Sequence, residues 1–226
     1  AGGVLRQCAR RAPHTGRRKN IVGAHAPIPP AVAQRCGCVV QNARAAGALV
    51  IQNLKNSGKG HSLRAGFAYF LNSPYRFLIM MDADGQHQAS DLIFFHQKIM
   101  GSPKALVVGN RLQNPEKMPR VRLATNRWMS RVLSLVSGQK IPDSQCGYRA
   151  IERNCLSRLT LSSDHFEIES EMLVKAAKLG VQIESVPIGT LYMEGRHSHI
   201  RPIRDTVRFF NFLFKYLLFD RFRLNK

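Results

Sequence analysis

Residues 77–82, FLIMMD, carry an apolar run straight into an aspartate, and a second aspartate follows two positions later in DADGQH (82–87). Such a run, bounded by polar residues, reads as a strand buried within a sheet. Side chains two apart on an extended backbone project to the same side, so Asp82 and Asp84 aim their carboxylates at one region just past the strand. Like charges so close repel unless a cation lies between them. Hard oxygen donors select a hard divalent ion, and Mg²⁺ or Mn²⁺ keeps open positions for substrate phosphates. Gln86 offers a further carbonyl oxygen beyond the turn made by Gly85, so the predicted metal set is Asp82, Asp84 and Gln86. The competing reading of these letters is a solvated turn or a cap on the next helix. An EF-hand loop starting at Asp82 would need Gly sixth and Glu twelfth, where His87 and Ile93 stand, and is excluded.

The flanking sequence alternates strand and helix. ALVIQN (48–53) is a short apolar run followed by a glycine turn, and KGHSLRAGFAYFL (59–71) spaces Leu63, Phe67 and Phe70 as a helix does. After FLIMMD come a helix over SDLIFFHQKIM (90–100), a strand ALVVGN (105–110), a helical stretch 121–137 and a strand within CGYRAIERN leading into a short helix. The helix FEIESEMLVKAAKLG stops at Gly180, and VQIESVPI (181–188) alternates as a strand. This order predicts an α/β fold with a mostly parallel sheet flanked by helices. Ligands of such sheets sit beyond the carboxyl ends of the strands, where Asn53, Asp82 and Asn110 fall.

Charge divides the chain unevenly. The net formal charge is +20, yet residues 1–81 hold twelve Lys or Arg and no Asp or Glu, whereas residues 82–226 hold 22 basic and 14 acidic groups. Residues 1–44, rich in Ala, Arg, Pro and Gly, show no sustained period and read as a disordered or non-native segment. The chain begins with Ala, which points to a fragment, an altered reading frame or a trimmed start. The five cysteines read as thiols, since CGC (36–38) has no second ligand pair at zinc spacing. No apolar run is long enough to span a bilayer, so the body is expected to face the cytoplasm. At the other end, VRFFNFLFKYLLFDRFR (207–223) mixes apolar and basic residues as a helix lying in a membrane surface does, and residues 203–226 are set apart as that helix.

The arginines bear on the chemistry. Arg111 stands at a strand end and Arg122 and Arg127 around the start of a helix, and guanidinium forks bind phosphate oxygens at two points. GKG (58–60) resembles a phosphate loop, but a Walker motif would need Gly at 53 and Ser or Thr at 60, where Asn53 and Gly60 stand. Lys59 is still placed to touch an acidic ligand. Two other classes stay open. A phosphatase of the haloacid-dehalogenase type also opens on strand and D-x-D, although Gln86 stands where its Thr belongs. A basic nucleic-acid-binding protein would use residues 1–44, but that arm lacks interleaved aromatics, and nucleic acid is not an expected partner.

Seven motifs in order, NSGKGHSLRAGF, MMDADGQHQASDL, GNR, MPRVRLATNR, DSQCGYRAI, FEIESEML and SHIRPIRDTVRFF, resemble the family 2 glycosyltransferases of GT-A fold, in the branch of dolichyl-phosphate mannose synthase and bacterial polyprenyl-phosphate glycosyltransferases. The resemblance covers roughly residues 46–210 and implies a GT-A domain over 45–202. It implies a metal-dependent, inverting transfer of a hexose from a GDP- or UDP-linked sugar to a polyprenyl phosphate at the cytoplasmic face of a membrane. On it, Asp82, Asp84 and Gln86 surround the metal, with Asp84 also counted as catalytic. Lys59, Arg111, Arg122, Arg127, Arg196 and Ser198 look toward donor or acceptor phosphates, Asp143 and Gln145 shape the acceptor side, and Glu171 sits in the reaction centre. Two family motifs are missing: a first strand ending like IPAYNE and a second ending in DDGSxD, which hold the nucleotide. Residues 1–44 occupy their place.

Overall fold

Apolar runs become elements in the order the pattern predicts. The computed structural model describes residues 20–22, 31–33, 37–53, 55–102, 104–115, 118–191 and 202–220. The first elements are β1 (Asn20–Val22), β2 (Ala31–Ala33), α1 (Gly37–Ala45), β3 (Val50–Gln52), α2 (Lys59–Leu71) and β4 (Phe77–Asp82). A single 3₁₀ turn, Ala89–Asp91, leads into α3 (Leu92–Gly101), followed by β5 (Ala105–Asn110) and α4 (Arg120–Ser137). Next come β6 (Arg149–Glu152), α5 (Arg153–Ser157), α6 (Glu167–Lys178), β7 (Gln182–Pro187) and α7 (Pro202–Lys215), continued by a π turn over Tyr216–Asp220. Elements therefore begin ahead of residue 45, earlier than the composition of that segment indicates.

The main sheet has the order β1-β4-β6-β5-β7, and β2 pairs with β3 separately in parallel. β5 and β7 are parallel, while β6 runs antiparallel to both β4 and β5, and β1 antiparallel to β4. The expectation of a mostly parallel sheet is corrected in this respect. β4, β5 and β7 do share a direction, but β6 is inserted between β4 and β5 the other way. A buried ion pair accompanies this reversal. Arg111, just past the end of β5, grips Asp143 in the loop ahead of β6. The chain enters β6 from the carboxyl end of β5 and runs back.

β5 is covered on both faces, with Ala105, Leu106, Val107 and Val108 at 2% exposure or less, as a continuous apolar strand requires. Leu63, Phe67 and Phe70 of α2 pack into the same core as Phe95, Leu133, Ile151, Ile168 and Leu173. Helix α7 joins it through Phe209 and Leu213, and the π turn after it through Tyr216. Burying each such side chain stabilises the fold by about 1.5–3 kcal/mol.

The loop between α5 and α6 is held from two sides. The amide of Gly60 donates to the Asp164 carbonyl at 2.8 Å, and Arg64 binds both the Ser163 carbonyl and the Asp164 carboxylate. A Cβ on Gly58 or Gly60 would run into the backbone of residues 163–164, so this close approach requires glycine at both places. From the other side Glu171, 2% exposed, accepts hydrogen bonds from the Ser162 amide at 3.0 Å and the Ser163 amide at 2.9 Å and pairs with Lys175 at 2.8 Å. Placing Glu171 in a reaction centre is thereby corrected, because its carboxylate is spent on anchoring this loop. Burial alone would raise its pKa, but Lys175 and the two amides outweigh it and hold the carboxyl below its usual range. A carboxyl depressed on folding contributes its full stability above the unfolded value of about 4.3, and that contribution is lost as pH falls through the lower folded value. Glu171→Gln should therefore lower unfolding free energy in urea by about 1–3 kcal/mol at pH 7, with the gap to the parent chain narrowing in acid.

Candidate active site

Strand β4 delivers Asp82 to the rim of the sheet, and the turn after it is built to hold Asp84. Gly85 takes φ 76°, and the Gln86 amide donates to Asp84 Oδ1 at 3.0 Å. This turn is tied to the chain beyond β7 by the Leu191 amide, which donates to the Gln86 carbonyl at 2.9 Å, and the following 3₁₀ turn by the Gly189 amide, which donates to Asp91 Oδ2 at 3.3 Å. Gly147, in the loop leading to β6, lies against the Asp82 carboxylate so closely that a Cβ there would collide with it.

Beneath Asp82 lies an ammonium. Lys59 opens α2, and its Nζ sits 2.8 Å from Asp82 Oδ1 and 2.6 Å from Glu169 Oε1, with its side chain 5% exposed. Nζ also stands 5.6 Å from the Phe166 ring centroid. Burial works against the charged form of Lys59, but Asp82 and Glu169 outweigh it and raise its pKa, so the lysine is cationic at neutral pH. A small cavity lined by Lys59, Met80, Asp82, Gly147, Arg149 and Glu169 adjoins this cluster. Arg149 is 2% exposed and gives its donors to the carbonyls of Cys146 at 2.9 Å, Ser144 at 2.9 Å and Glu169 at 2.6 Å. It thus welds the loop before β6 to α6.

His87 packs on the Tyr148 ring with centroids 5.3 Å apart, and Tyr148 stacks on Phe95 at 4.2 Å. Burial depresses the imidazole pKa, so the ring is neutral at pH 7. His87 Nδ1 and the Tyr148 hydroxyl are buried polar atoms with no hydrogen-bond partner among the described residues.

The residues singled out by sequence separate into groups. Asp82, Asp84 and Gln86 share the end of β4, and Lys59 joins them as a partner of Asp82. Arg111 and Asp143, expected on phosphate and acceptor, bind each other. Arg111 Nε lies 2.7 Å from Asp143 Oδ2 and Nη2 3.0 Å from Oδ1, with residue exposures of 5% and 0%. Buried this deeply, the guanidinium and the carboxylate offset each other's charge, which turns the fork toward Asp143 rather than a diphosphate and corrects the placing of both residues on substrate groups. Gln145 donates its amide to Asp143 Oδ1 at 3.2 Å and belongs to the same loop. Arg122 is half-buried and Arg127 exposed on α4, and five positions on a helix turn them about 140° apart, so they face different ways. Arg196 and Ser198 lie outside the described residues.

Sequence reasoning missed Glu169, Gly147 and Arg149. The signal for Glu169 was present in FEIESEML. Glu171 and Lys175 stand at the spacing of a helical ion pair, and Glu169, about 200° away around the axis, points to the opposite side. Among the described residues no group of three or more His, Cys, Asp or Glu converges as a metal site.

Residues 39–160, more than half of the chain, match the family described as Glycosyl transferase family 2. The chain is 34% identical over 161 residues to Glycosyltransferase AglJ of Haloferax volcanii, covering 70% of this chain and 51% of that protein. It is 34% identical over 153 residues to a UDP-N-acetylglucosamine–dolichyl-phosphate N-acetylglucosaminyltransferase of Methanococcus voltae, covering 65% of this chain and 60% of that one. It thus spans less than two thirds of the length of these relatives. Further relatives are likewise polyprenyl-phosphate sugar transferases. The fold is similar to a crystal structure of glucosyl-3-phosphoglycerate synthase from Mycobacterium tuberculosis in complex with Mn²⁺, UDP-glucose and glycerol 3-phosphate. The TM-score is 0.59 at 15% identity, with 82% of this chain and 67% of that one covered. The phosphatase and nucleic-acid readings fall away with this match, and the chain belongs to glycosyl transferase family 2.

Proposed function

We propose that residues 45–202 form the body of an inverting, divalent-metal-assisted transferase that moves a hexose from a nucleotide sugar to a polyprenyl phosphate. The observation that carries this reading is the pair Asp82 and Asp84 at the carboxyl end of β4, the edge where α/β sheets bind ligands. The donor set fits a hard cation. Two carboxylates supply oxygen ligands, Gly147 keeps a side chain away from Asp82, and substrate phosphates complete the shell as they do at many Mg²⁺ sites. Asp82, Asp84 and Gln86 would hold it. A divalent cation bound there would offset the charge growing on the departing nucleoside diphosphate. The Mn²⁺ and UDP-glucose in the related synthase structure support the same choice.

The acceptor phosphate has a second pKa of roughly 6 and so carries a nucleophilic oxygen at neutral pH without a strong general base. That oxygen attacks the anomeric carbon in line, the carbon–oxygen bond to the diphosphate breaks, and the configuration inverts. Arg122 at the start of α4 is assigned to phosphate contact, with Arg127, Arg196 and Ser198 as further candidates. Asp84→Asn should reduce hexose transfer from labelled UDP- or GDP-sugar to polyprenyl phosphate by at least about a hundredfold. Undiminished transfer would refute the reading.

The acceptor lives in a membrane, and two helices offer a surface for one. On α7 and the π turn after it, Phe209, Leu213 and Tyr216 enter the core while Val207, Phe210, Phe214 and Leu218 stay 45–65% exposed on the outer side. Beside them α4 exposes Val121, Trp128 and Leu135, each seven residues from the next and so on one stripe. Trp128 and Phe210 join the stripes, with ring centroids 5.4 Å apart. Helix α4 carries Arg120, Arg122, Arg127 and Arg131 and no acidic residue, which favours anionic headgroups. Among the described residues no helix is long and apolar enough to cross a membrane. Since Trp128 is the lone tryptophan, its fluorescence should shift to the blue with vesicles containing phosphatidylglycerol and be quenched by brominated lipid. Phe210→Ser combined with Phe214→Ser should weaken sedimentation with those vesicles about tenfold or more.

A further inference from the structure

The GKG segment is left over by the Walker comparison, and its geometry gives it another use. Gly58 and Gly60 press against the backbone of residues 163–164, and the lysine between them is driven inward rather than toward solvent. Its ammonium bridges Asp82, at the end of β4, to Glu169 on α6, at 2.8 and 2.6 Å. We infer that Lys59 is a built-in counter-ion and positioning residue: it occupies Asp82 Oδ1 and so holds down the affinity of the Asp82–Asp84 pair for a free divalent cation until a nucleoside diphosphate arrives. Glu169 sets the strength of this restraint by drawing part of the ammonium's field away from Asp82. The inference rests on the metal-assisted reading above.

The physics is a competition of charges over a few ångströms in a partly dried site, where such terms are far larger than in water. Removing Lys59 takes away a positive charge next to a metal ligand, so a bare cation gains. Removing the charge of Glu169 leaves the whole ammonium to Asp82, so a bare cation loses. Once a diphosphate is present, its own negative charge draws the cation in, and the effect of Lys59 shrinks.

Mn²⁺ binding, followed by electron paramagnetic resonance and by calorimetry with and without UDP or GDP, tests this independently of turnover. The parent chain should bind Mn²⁺ weakly alone and more tightly with the diphosphate. Lys59→Met should tighten binding of Mn²⁺ alone by about tenfold or more and flatten the dependence on diphosphate, whereas Glu169→Gln should weaken it by about threefold or more. A purely structural role would loosen the site in both variants, so shifts in the same direction, or none, would overturn the inference while leaving metal binding intact. No Mn²⁺ uptake by the parent chain with either diphosphate would instead remove the metal-assisted reading, and the inference with it. Should Lys59→Met fail to fold, the neutral Lys59→Gln takes its place, and opposite shifts in that variant and in Glu169→Gln are still required, because weakening in both contradicts the inference.

Discussion

One buried ammonium joins three parts of the chain that are far apart in sequence. Lys59 at the head of α2, Asp82 at the tip of β4 and Glu169 on α6 meet within hydrogen-bond distance, and each would be costly to bury alone. The cluster therefore fixes the relative places of a helix terminus, a strand end and a second helix, and with them the direction of the carboxylate that defines the site. Two glycines make the insertion possible, because any side chain at either would hold α2 away from residues 163–164.

Two other buried cations surround this centre, and each is neutralised differently. Arg111 is matched by the carboxylate of Asp143, whereas Arg149 is met by three backbone carbonyls. Both fasten the loop of residues 143–147 against the sheet. That loop brings Gly147 up to Asp82 and sends β6 back between β4 and β5. The positive groups nearest the strand ends are thus engaged within the fold, which is why Arg122 is the arginine proposed for phosphate contact.

Elements were legible in the sequence where burial imposes a period. KGHSLRAGFAYFL, FLIMMD and ALVVGN become α2, β4 and β5 at the residues their patterns mark. Strand order and the reversal of β6 were not legible, since they are set by pairings between segments far apart in sequence, such as β6 with β4. The pair Asp82 and Asp84 could be picked out by the apolar run before it, although β4 ends at Asp82 and Asp84 stands in the turn beyond. Its partners could not, as Lys59 and Glu169 reach Asp82 only through tertiary contact. Glu171 was placed by family resemblance, whereas in the fold the helix turns Glu169, two positions earlier, to the ammonium of Lys59.

The hydrogen bonds from Leu191 to the D-x-D turn and from Gly189 to the 3₁₀ turn after it link the end of β7 to both. Moving residues 189–191 away would break the bonds to Gln86 and Asp91, each of which costs about 0.5–1.5 kcal/mol. A contact made at residues 189–191 therefore bears, through the Gln86 carbonyl, on the backbone whose amide holds Asp84.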